Sequence, residues 1–126
     1  MKPTILALAA VFSLVPAAGF AHGQAPQASH GGQVQDAHAG WVELVVDGDR
    51  VLIYVTNEHG NPVPASQVSG TATVLIGNQP HKVQLAPAEG NELTGKLPAP
   101  VSDRTVATVS LKIEGKPASA RFANVG

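Results

Sequence analysis

Cysteine is absent from this 126-residue chain. No disulfide can staple the fold, and no thiolate is available for metal binding, redox exchange or nucleophilic attack. Aromatic residues are scarce, with one Trp, one Tyr and three Phe. A core must therefore come mainly from Val, Leu, Ile and Ala, a composition suited to packed sheets. No basic run occurs and the formal net charge is −1, which argues against nucleic acid or an anionic membrane surface as a partner. No stretch carries a sustained helical stripe, and no glycine loop precedes a helix to cradle phosphate. No serine sits in a Gly-x-Ser-x-Gly elbow. These absences argue against an enzyme.

What is present begins with an export signal. Lys2 supplies a positive start, residues 5–15 are apolar apart from Ser13, Pro16 breaks the run, and Gly19-Phe20-Ala21 is a small-x-small cleavage site. The run is too short to span a bilayer. The expected mature protein starts at His22 and works in a periplasm, without a stable membrane span after processing. Residues 22–32 read as a flexible tail containing His and Gly, and residues 33–126 as one domain.

From residue 33 onward, short alternating segments are separated by turn residues. Residues 33–36 form a weak first strand. Residues 41–47 form a strong one, with Val42, Leu44 and Val46 on one face. Asp47-Gly48 suggests a type I′ hairpin turn into residues 49–56, which place Val51, Ile53 and Val55 together. Trp41 and Tyr54 fall off the apolar face, so an exposed aromatic patch is one expectation. Residues 57–69 hold Pro62 and Pro64 and cannot form a regular central strand. Further strands are expected at 70–76, 81–86, 91–97, 105–113 and 118–123, with residues 87–90 as a loop. Turn signals every eight to twelve residues indicate an all-β fold, an immunoglobulin-like antiparallel β-sandwich of seven or eight short strands, although the Cys…Trp…Cys spacing is missing.

Chemical capacity rests on five histidines: His22, His30, His38, His59 and His81. Without sulfur ligands, a nitrogen and oxygen site for a divalent transition metal (Cu, Zn, Ni or Co) is the available class. His22 would offer both its α-amine and its imidazole if cleavage follows Ala21. His30 is followed by two glycines that permit unusual backbone and close approach. His38 lies eight positions on, at the far end of the first strand, and its plainer reading is a solvated turn residue. His59 sits beside Glu58 at a loop tip. His81 shares a face with Val83 and Leu85, as a structural histidine would.

The run His30-Gly31-Gly32-Gln33-Val34 with Trp41-Val42-Glu43-Leu44-Val45 resembles a group of small periplasmic His-Gly-Gly β-proteins. Residues 70–75 and 83–88 share the likeness. The resemblance implies a role beside heavy-metal efflux systems, whose adaptor subunits carry similar segments. In that group a histidine often stands directly before Glu-Leu; here Val42 takes that place, and His30 is the one position carried over.

The leading expectation is a non-enzymatic metal-binding accessory protein. His30 is the main ligand, His22 assists, and His38 and His59 are candidate additions. Its expected partner is a heavy-metal efflux complex or its adaptor subunit. Binding dominated by histidine should be lost below about pH 6. A second reading is a sandwich module that makes protein contacts without metal. A third is an enzyme built on an N-terminal copper histidine.

Overall fold

The computed structural model describes residues 25–102 and 104–126. The proposed signal and His22 lie outside these residues. Among the described residues nine strands run in chain order: β1 (Gln33–Asp36), β2 (Trp41–Asp47), β3 (Arg50–Thr56), β4 (Val68–Ile76), β5 (Gln79–Gln84), β6 (Ala86–Pro87), β7 (Glu92–Lys96), β8 (Thr105–Ile113) and β9 (Lys116–Val125). Among the described residues a single 3-10 turn, Ala65–Gln67, precedes β4. Five strands form one sheet in the order β1-β2-β3-β7-β6, and four form the other in the order β5-β4-β8-β9. All pairings are antiparallel.

The core lies between the sheets because each long strand turns one apolar face inward, and on β2 the outward residues Trp41 and Glu43 are buried as well. Val42 and Leu44 of β2, and Val51, Ile53 and Val55 of β3, are buried. They share one cluster with Ala107, Val109, Leu111 and Ile113 of β8 and with Ala118, Ala120 and Phe122 of β9. A period of two puts each of these sets on a single face, and burying that face drives the two sheets together. Phe122, fully buried, supplies the bulk that the aliphatic residues lack.

Three expectations need correction. Nine strands replace seven or eight, because residues 81–86 do not form one strand. β5 ends at Gln84, and the chain then crosses to the other sheet, where Ala86 and Pro87 pair with β7 as β6. Residue 87, read as loop, is therefore paired. The order also departs from an immunoglobulin arrangement, whose sheets run ABED and CFG. Here β1, β2 and β3 are consecutive neighbours in one sheet. Finally, the hairpin after β2 turns on Gly48-Asp49, since Asp47 still pairs with Arg50. Positive φ occurs at Gly48 (63°) and not at Asp49, the pattern of a II′ rather than a I′ turn.

Candidate functional site

Glu43 occupies the middle of β2 on the face turned away from the core. The ladder sets Val34, Glu43, Tyr54 and Glu92 side by side across β1, β2, β3 and β7. An outward carboxylate on a strand is expected to be wet, yet Glu43 is only 6% exposed. The cover is the segment leading into β1, which folds back over this face.

The carboxylate holds that segment by three hydrogen bonds. Its Oε2 accepts from the backbone N–H of His30 and of Gly32, both at 2.9 Å. Its Oε1 accepts from His30 Nδ1 at 3.0 Å. Burial alone would push the Glu43 carboxyl up. The His30 ring, the two backbone N–H groups and the charge of His30 outweigh burial and hold it below the usual value. Three donors are what a buried carboxylate needs to stay ionised.

The two glycines after His30 now have a physical reason. Gly31 has φ of 77°, in the left-handed region that side chains disfavour. At Gly32 a Cβ would run into the backbone carbonyl of Leu44. Only a bare backbone lets both N–H groups converge on one carboxylate oxygen beside β2.

The His30 ring lies flat on Tyr54, with centroids 3.5 Å apart and planes 2° from parallel. Burial, the adjacent Glu92 carboxylate as acceptor and charge, and the Glu43 charge raise the Tyr54 hydroxyl above the ordinary phenol value. Because a carboxylate only accepts, the contact with Oε1 places a proton on His30 Nδ1, and the tautomer that does so leaves the lone pair on Nε2. The His30 side chain remains 43% exposed. The ring is thus fixed in position and tautomer while staying open to solvent.

Beside this ring is a cavity of about 270 Å³. Its walls include Pro26, Trp41, Tyr54, Thr56, Pro62 and Asn91. The aromatic pair expected as an open patch instead floors this cavity, and Trp41 is buried. Thr56 Oγ1 is buried there with no hydrogen-bond partner among the described residues. Asn91 braces the rim through Nδ2 to the Val55 carbonyl at 2.9 Å.

The remaining histidines are placed separately. His38 is exposed in the bend between β1 and β2, with φ of 72°, and its N–H donates to Asp36 Oδ1 at 2.8 Å. It follows β1 while His30 precedes it, as the spacing suggested. His59 is exposed at the tip of a loop organised by Asn57, whose Oδ1 accepts from His59 N–H at 2.9 Å and Asn61 N–H at 3.0 Å. Its neighbour Gly60 lines the cavity that His30 borders. His81 pairs with Val74 on the inner face of β5 and is half-buried. Among the described residues, no group of three or more His, Cys, Asp or Glu side chains converges as a metal shell.

Sequence reasoning missed Glu43 and Tyr54 as the partners of His30. Their parity placed both off the apolar face, but their meeting with His30 depends on the fold-back over β2 and β3. Comparison with protein-family models, curated proteins and solved structures finds no match to this chain.

Proposed function

We propose that this is a non-enzymatic metal-binding accessory protein of the periplasm, with His30 as its anchoring ligand. The observation that carries the reading is the Glu43–His30–Tyr54 arrangement. Histidines that ligate metals commonly donate their other ring N–H to a carboxylate, which fixes the tautomer and raises ligand basicity. His30 has that partner in Glu43, and the stack on Tyr54 fixes the ring plane.

The donor set fits a nitrogen-seeking divalent ion such as Cu(II), Zn(II), Ni(II) or Co(II). His30 alone is one ligand. His22 with its α-amine, eight residues upstream, and His59, next to the cavity wall at Gly60, are the nitrogen donors that would complete a shell. His38 is the least suited of the four, since β1 separates it from His30. Delivery to a heavy-metal efflux complex or its adaptor subunit is the partner reading that accompanies this proposal. It rests on the His-Gly-Gly resemblance. The covering of Trp41 and Tyr54 weighs against the alternative of a metal-free contact patch at this position.

Titration of the processed protein with Cu(II) and Zn(II) against a competing chelator tests the proposal. His30→Ala should abolish the tightest binding. Glu43→Gln, which leaves His30 in place but unoriented, should weaken it about 10- to 100-fold. His38→Ala should leave it unchanged. Equal affinity in His30→Ala and the parent protein would overturn the assignment.

A further inference from the structure

The outward face of the four-stranded sheet gathers cations that lie far apart in the chain. One complete cross-strand row runs Lys82, Thr73, Thr108, Arg121 over β5, β4, β8 and β9. Strand spacing puts its two cations about 14 Å apart at the margins of the sheet. Lys112 projects from the same face of β8, four residues from Thr108 and so about 14 Å along the strand. All three cations are exposed, and none forms an ion pair with a described residue. Between them lie hydroxyls, with Thr71, Ser110 and Ser119 forming the adjacent row. No described strand residue on this face is acidic. Glu114 stands at its corner, in the turn after β8.

We infer that this face docks on a bilayer surface rich in anionic phospholipid. The charges form a triangle spread in two dimensions, whereas a line or a groove would suit a rod-like polyanion. Hydroxyls between the cations can donate to phosphate oxygens of several headgroups at once. The chain as a whole is slightly acidic, so the attraction belongs to this face and fixes an orientation. The opposite sheet, with the His30 site, would then point away from the lipid. The inference is independent of the metal proposal.

Vesicle co-sedimentation tests it with the metal-free protein. Vesicles of phosphatidylglycerol and phosphatidylcholine in equal parts are compared with phosphatidylcholine alone at low ionic strength. Each basic residue at an anionic surface contributes about fivefold in partitioning, so three should favour the anionic vesicles about 100-fold. Raising salt to about 0.5 M should remove the preference. The exposed double variant Lys82→Gln, Arg121→Gln should lose about 30-fold. Lys96→Gln, on the other sheet, should lose nothing. Equal partitioning on both lipids, an unaltered double variant, or capture by soluble heparin without capture by anionic vesicles would each overturn the inference.

Discussion

The two sheets share one core but finish their outer faces in opposite ways. On the five-stranded sheet, Trp41, Glu43, Leu52 and Tyr54 face outward, and the segment before β1 folds back over part of them. On the four-stranded sheet, threonines, serines and three cations make up most of the outward face, with Leu75 and Pro80 at one end, and no such segment covers it among the described residues. The difference follows from the side chains. Aromatic and aliphatic groups gain by leaving water, and a carboxylate among them can enter only with donors to meet it. Hydroxyls and ammonium groups are content in water and recruit no cover. A buried charge here acts as a clasp: it orders a chain segment that has little apolar surface of its own.

That contrast can be broken most severely at Glu43. Glu43→Ala removes three charge-assisted hydrogen bonds at once and should destabilise the protein by about 2–4 kcal/mol in urea unfolding, with His30 freed from Tyr54. Gly32→Ala should cost less, about 1–3 kcal/mol, because the segment can lift off β2 to avoid the Leu44 carbonyl. A graded effect should come from acid. The folded state lowers the Glu43 pKa from the ordinary 4.5, so its stabilising contribution is complete above that value. It is lost as pH falls through the lowered folded-state value. The unfolding free energy of the parent should drop across that window, and the Glu43→Gln variant should show a shallower drop. The smallest change belongs to the bare face: Thr108→Ala should move stability by less than about 0.5 kcal/mol. A large loss there would mean that the hydroxyl rows stabilise the sheet and that the two faces differ less than their coverings suggest.

Much of this fold was legible because alternation is local. The facing sets Val51/Ile53/Val55 and Ala118/Ala120/Phe122 could be read directly from period two, and the same sets are buried. What alternation does not contain is strand order. Residues 81–86 look like one strand, yet the chain changes sheets at Leu85, whose N–H still bonds the Gly70 carbonyl. Lys82, Lys112 and Arg121 look scattered until β5, β4, β8 and β9 are laid side by side. The absence of a basic run was therefore a poor guide to charge on the surface. At the site, His30 with its two glycines was visible as a motif. Its partner was not, since an outward glutamate on a strand ordinarily reads as solvated and the signal that Glu43 is buried lies eleven residues away, in Gly32.

The first and last strands lie against each other: Gln33 Nε2 donates to the Asn124 carbonyl at 3.1 Å, and Gly126 borders the same shallow depression as Gly31 and Gly32. A dye coupled next to Gly126 would therefore sit beside the His-Gly-Gly bend and could sense its release without any label on the histidine itself. A bulky fusion at that position would press on the same bend.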